Sequence, residues 1–390
     1  MKNRILVVVC CVAWMVSANY LLAAIRPSFD AGCAWDASDI VVVTQKENSN
    51  GVVTVQETWH GQLAKGERIH VAGLPQTPIT VSTWHEDYAN AIAVVVAEAA
   101  GNEPPTRTKA EAKKVGGERI VLFLKPVEVK PDAKNTTAPG IKRFRGASFW
   151  TEDYNSAISS AVWFEQGQSY AFMQMMNPGP SELHPCGVSE ENLKKTVQAI
   201  LADKEALAKA KSLEQPTDRI AALLPLTKNT HGRTSEGAFV ALGQCGKPAL
   251  PVLKEMVTND AYSQHDVMYA IAEASGTDAG QEITAILEKE LTFWKEKAPE
   301  LEVGWWNGAG KPLNFEEWKR LDKLRERYGI LYYGLCILKK HPYPPSRELV
   351  TQIRDLWVSL PQLNHNKPER NQIIETCEEV LKALDQQPRQ

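Results

Sequence analysis

The stretch AFVALGQCGKPALPVLKEMV, residues 238–257, overlays MYAIAEASGTDAGQEITAIL, residues 268–287, at an offset of 30. The offset matches Phe239 with Tyr269, Gly246 with Gly276, Ala249 with Ala279 and Leu253 with Ile283, and it aligns Met256-Val257 with Ile286-Leu287. Each copy reads as a helix with an apolar stripe, ended by a glycine C-cap and followed by a second helix. Neither helix can bury its stripe alone, so neighbouring copies must stack. Upstream, Ser189 is a good N-cap for a helix that keeps Leu193, Val197, Ile200, Leu201 and Leu207 on one face. Downstream, two further stripes hold the helical period without the repeat signature: Trp318 through Leu338, then Leu349 through Leu360. Ile373, Cys377, Val380 and Leu384 suit a closing cap helix.

The phrase ALGQCGKPALPVL within 241–253 resembles HEAT-like repeats, in particular the short variety first noted in phycobilisome lyases. The resemblance implies an α-solenoid of helix pairs over 188–390, with two units clear. The lyase chemistry of some relatives does not follow from repeats alone, since fold does not imply function.

The first half is written in strand language. Asp39 to Thr44 is a β-branched run, followed by the turn Asn48-Ser49-Asn50-Gly51 and an alternating strand from Val52 to Thr58, which together make a hairpin. Further runs are Arg68 to Val71, Ala91 to Val96 and Arg119 to Leu124, and a second hairpin joins Ser160–Phe164 to Ser169–Met175 through Glu165-Gln166-Gly167-Gln168. Residues 101–117 and 129–141, rich in Gly, Pro, Lys and Thr, read as exposed loops, and the basic patch Lys142-Arg143-Phe144-Arg145 reads as a solvated loop. Over 33–125 the pattern of an early cysteine, an apolar strand, a long hairpin and a late apolar strand resembles the netrin-like (metalloproteinase-inhibitor-like) OB-type barrel. That resemblance implies an antiparallel β-barrel or sandwich-like domain. The family's CxC start is missing and Cys33 stands alone. Inhibition of a protease zinc through a terminal cysteine is therefore not implied.

The chain's 390 residues, 43% hydrophobic and 23% charged, give length for about two domains of ~150 residues each. With 44 basic and 47 acidic side chains the net charge is −3, which excludes a generally cationic nucleic-acid binder. Lys2 and Arg4 precede an apolar run from Ile5 to Met15, and Val16-Ser17-Ala18 supplies a cleavage site, so residues 1–18 are expected to be a signal peptide. The rival reading is an uncleaved anchor over 5–25. Export removes Cys10 and Cys11, leaving five cysteines. Of these, Cys33 and Cys186 are the one candidate disulfide, while Cys245, Cys336 and Cys377 fall on apolar helix positions as buried thiols.

No metal motif is found. His85-Glu86 lacks the second histidine of a helical zinc site, and the eight histidines are scattered. Gly246-Lys247 and Gly310-Lys311 lack both the first glycine and the Ser/Thr of a phosphate loop, and Ser235 lacks a nucleophile elbow's first glycine. The sharpest enzymatic alternative is a Cys245 nucleophile with His265 and Asp266, set against Cys245 as a small turn residue between two helices. Trp305-Trp306, in a glycine-rich loop, is the candidate binding pair, set against a loop that plugs a helical groove.

The expectation is an α+β multidomain protein: signal peptide 1–18, β-rich netrin/OB-like domain 19–187, helical HEAT-like domain 188–390. It is expected to be secreted or periplasmic, a non-enzymatic scaffold that binds a protein partner, with no catalytic or metal residues, no cofactor and no nucleic acid. Membrane contact is expected only if the signal segment is retained. A cysteine-dependent lyase or hydrolase on the repeat domain and a protease inhibitor through the first domain are the alternatives.

Overall fold

The computed structural model describes residues 29, 31–47, 49–81, 113–127, 141–147, 160–172, 183–228, 232–259, 261–301, 315–360 and 372–386. The expected signal segment, the strand expected over 91–96 and Trp305-Trp306 lie outside these residues. The chain divides into two compact units, residues 1–202 and 203–390. The first is built on a β-sheet and the second is helical, an α+β arrangement. Among the described residues no helix is long and apolar enough to cross a membrane.

The first unit's strands are β1 (Asp39–Gln45), β2 (Val52–His60), β3 (Arg68–Val71), β4 (Ile79–Thr80), β5 (Lys114–Val115), β6 (Ile120–Pro126), β7 (Lys142–Gly146), β8 (Ala161–Glu165), β9 (Gln168–Phe172) and β10 (Leu183–Pro185). β1 pairs with β2 on one side and β6 on the other, both antiparallel. β2 runs antiparallel to β3, β3 parallel to β7, and β7 antiparallel to β6. Five strands therefore close on themselves in the order β1-β2-β3-β7-β6, and β8, β9 and β10 continue the sheet outward from β6. Two hairpin turns carry the dihedrals a right-twisted ribbon needs: Asn50 and Gly51 at φ +45° and +77°, Gln166 and Gly167 at +50° and +76°.

The apolar run of β1 is continuous because both its faces are buried. Val41 and Val43 point into the ring with Val55, Ile69, Leu122 and Phe144. Ile40 and Val42 point outward, sharing a second core with Val121, Phe123 and Val162. That second core is covered by helix α1 (Glu190–Lys211), whose Leu193, Val197 and Ile200 are 2%, 0% and 4% exposed. The opening turns of α1, read from sequence with the helical half, thus belong to the first unit. Its amphipathic stripe is the lid the sheet's outer face requires. A salt-bridge cluster pins it there. Arg119 donates to both oxygens of Glu190 (Nε–Oε2 2.6 Å), while Lys194 bonds Glu57 at 2.5 Å and lies 5.5 Å over the Trp59 ring. Lys194 above all holds the Glu57 carboxyl below its usual range.

Two stretches expected to be loops are strands. Lys142–Arg145 forms most of β7, because Phe144, 5% exposed, fills the ring interior opposite Val71 while its charged neighbours stay outside. Lys114-Val115, within the loop expected over 101–117, pairs with Ile79-Thr80.

The second unit holds eight α-helices among the described residues: α2 (Pro216–Leu223), α3 (Gly232–Gly243), α4 (Leu250–Met256), α5 (Gln264–Ser275), α6 (Ala279–Lys297), α7 (Phe315–Lys340), α8 (Arg347–Ser359) and α9 (Gln372–Asp385). The 30-residue offset is a structural repeat. Gly246 and Gly276 both adopt left-handed φ, +70° and +57°, and each begins or precedes a 3-10 turn that leads into the second helix, α4 or α6. α3 packs on α5, α5 on α7 and α7 on α9, while α6 packs on α7 and α8. The packing is close: a Cβ at Gly334 of α7 would sit 2.7 Å from Leu287 Cδ2 of α6. Trp294 and Trp357 meet edge-on at 4.9 Å between α6 and α8, both essentially buried.

Candidate functional site

α3 and α5 carry matching residue types at matching repeat positions. Glu236 and Phe239 on α3 correspond, thirty residues on, to Asp266 and Tyr269 on α5. Each helix thus carries a carboxylate and, three residues later, an aromatic ring, but Phe239 is 1% exposed and packs on Tyr262, whereas Tyr269 is half-buried at the surface. Ser263 caps α5 by accepting a bond from the Asp266 amide, which fixes where that face begins. The helices can come together because position 243 lacks a side chain: a Cβ there would stand 2.9 Å from Glu273 Cβ.

Between α3 and α5 lies a cavity of about 340 Å³, lined by Glu236, Phe239, Val240, Gln244, His265, Asp266, Tyr269 and Glu273. A second, of about 560 Å³, continues from Tyr269 and Glu273 past Gly276 and Thr277 to Ile337, Lys340 and His341 at the end of α7. The two share Tyr269 and Glu273 and form one groove across the first helices of successive pairs. Tyr269 is its pivot. Its ring lies 4.7 Å from the His265 ring and 5.1 Å below the Lys340 ammonium, and His265 also meets Tyr333 at 5.0 Å. His265 Nδ1 is 2.8 Å from Asp266 Oδ1. Glu236 and Glu273 are exposed and have no ion-pair partner among the described residues. Val240 is 51% exposed, one of three large apolar side chains so placed among the described residues.

The sequence did not single this groove out. The signal was present in the register of Glu236/Asp266 and Phe239/Tyr269, but polar residues on exposed helix faces are common. Their convergence is visible only once α3 and α5 are side by side.

The candidate thiol Cys245 sits elsewhere. It is 8% exposed, its Sγ donates to the Ala241 carbonyl at 3.3 Å, and burial pushes its pKa up. Its repeat equivalent Ser275, 3% exposed, makes the same bond four residues back, to Ile271 at 2.7 Å. Both positions therefore take a small side chain that donates into its own helix. The partner of His265 is Asp266, not the thiol. Cys245→Ala is expected to cost about 1 kcal/mol, the usual scale for a buried point change. Native alkylation at neutral pH should leave Cys245 unmodified; fast labelling there would show an activated thiolate.

Cys33 lies in a 3-10 turn, Ala31–Trp35, and together with Cys186 belongs to the core beneath α1. No disulfide joins them in the structure, and Cys186 Sγ stands 3.3 Å from Ser169 Oγ. The candidate binding pair Trp305-Trp306 falls outside the described residues. Among the described residues no three His, Cys, Asp or Glu side chains are grouped to hold a metal ion. Comparison with protein-family models, curated proteins and solved structures finds no match to this chain.

Proposed function

We propose that this is a non-enzymatic binding protein of the cell envelope or exterior, which holds a segment of a partner protein in the groove across α3, α5 and α7. The observation that carries the reading is the pair of adjoining cavities along the stacked helices α3, α5 and α7, flanked by carboxylates at the equivalent positions 236 and 266 and by the exposed Val240. Stacked helix pairs offer extended faces of this kind. The helical unit is read as a HEAT-like α-solenoid, supported by the 30-residue repeat with its glycine turns and by the order in which α3, α5, α7 and α9 pack. The first unit is read as an OB-type, netrin-like barrel. Its support is the closed five-strand ring, in which a three-strand meander is joined to the last strand by a parallel contact, β3 to β7.

A photo-crosslinking residue at Val240, compared with one at Val358, tests the site. Both positions are exposed, at 51% and 65%, but only Val240 lines the groove. In the exporting cell's envelope fraction, Val240 should give a recurrent adduct that maps to one protein segment, and Val358 should not. Equal labelling, or none at Val240, removes the reading. The export part is tested separately: N-terminal sequencing of exported protein should begin near Asn19, following Val16-Ser17-Ala18. A chain that still carries Met1 and partitions with membranes contradicts it.

A further inference from the structure

We infer that the groove's occupant is an extended peptide segment carrying a single arginine or lysine beside an apolar residue, seated in the half formed by α3 and α5. This rests on the groove being a protein-binding site and names the chemistry it selects. That half is lined by three carboxylates, Glu236, Asp266 and Glu273, against one imidazole, and the imidazole is already engaged by Asp266. Glu236 and Glu273 are exposed, have no ion-pair partner among the described residues, and stand beside Val240 and Tyr269. A guanidinium or ammonium offers such a site a countercharge. An apolar neighbour in the segment covers Val240, whose exposed side chain is otherwise in water. The other half of the groove adds Lys340 beside the shared Glu273, so a second cation further along the segment gains less there and a polybasic run is disfavoured.

Three N-acetylated, C-amidated peptides of identical leucine-flanked sequence, differing at one central position as arginine, glutamine or glutamate, test this on the full chain by fluorescence anisotropy. The arginine peptide should bind at least about tenfold more tightly than the glutamine peptide, and the glutamate peptide more weakly still. Raising the salt should narrow the gap. Glu236→Lys with Glu273→Lys should lower affinity for the arginine peptide at least about tenfold and favour the glutamate peptide. Both side chains are exposed, and unchanged circular dichroism checks that the fold is kept. Equal binding of all three peptides, abolished by Val240→Asp, overturns the charge selection while leaving the groove as the binding site. Failure of every peptide to bind, together with no adduct at Val240, overturns both.

Discussion

Val197→Asp is expected to unfold the first unit. Val197 is 0% exposed on the face of α1 that covers Ile40, Val42, Val121 and Phe123. The substitution removes an apolar side chain worth about 1.5–3 kcal/mol when buried. It also sets a carboxylate where the neighbouring core is apolar, at a cost of several kcal/mol whether the group stays charged or takes a proton. Together these approach the 5–15 kcal/mol that holds a typical domain folded. Loss of the near-ultraviolet dichroism of the buried Trp163 and Tyr170, while much helical signal persists, is the expected readout. Val197→Ala, which leaves only a small void, should melt a few degrees lower and keep both signals. An aspartate variant that melts like the alanine one would show that α1 does not close this core.

The second large effect is pH-dependent and centres on Glu290. This carboxyl on α6 is 1% exposed, and burial raises its pKa from 4.5 to about 7 against the opposing pull of Arg327. Arg327 Nε lies 2.8 Å from Glu290 Oε2 without the alignment of a hydrogen bond, and the guanidinium stacks 4.2 Å from the Phe293 ring centre. A carboxyl with a raised folded pKa favours folding while it is protonated. Its contribution is fully present below pH 4.5 and is lost as pH rises through about 7. At about 1.4 kcal/mol per pKa unit this amounts to roughly 3 kcal/mol across that window. Glu290→Gln should therefore flatten the decline in melting temperature between pH 5 and pH 8. The amide keeps the side chain's shape and an oxygen acceptor but cannot titrate, so the slope with pH, not the absolute stability, is the readout. Glu290→Ala leaves Arg327 without its counter-ion beside a cavity and should lose about 3–5 kcal/mol. A glutamine variant that keeps the parent's slope would show that Glu290 does not titrate in this range.

What could be read in the sequence follows from what is local. Asn50-Gly51 and Gln166-Gly167 announce their hairpins because the turn's dihedrals select such residues. The runs of β1 and β6 were legible as strands because burial on both faces leaves them almost wholly apolar. The repeat was legible because the glycines at 246 and 276 hold a conformation that other residues rarely adopt.

The remainder depends on distant partners. β7 reads as a loop in the sequence because three of its five residues are cations, and its one aromatic, Phe144, gains its role only from the parallel pairing with β3, some seventy positions earlier. The stripe of α1 was plain, but a stripe does not say which core it faces, and Leu193, Val197 and Ile200 face the sheet. Closure of the ring needs β1 to meet β6, a pairing that joins Asp39 with Leu124. The groove is legible least of all, since it consists of ordinary exposed side chains that gain meaning from adjacency.

Deuterium exchange of the full chain, with and without a saturating arginine peptide, tests the groove assignment most directly. Binding in the groove slows backbone exchange at its walls, in residues 236–244, 265–277 and 337–341, and leaves the strands of the first unit unchanged. Protection on the β-sheet unit instead, or no protection in α3 and α5, would contradict the assignment.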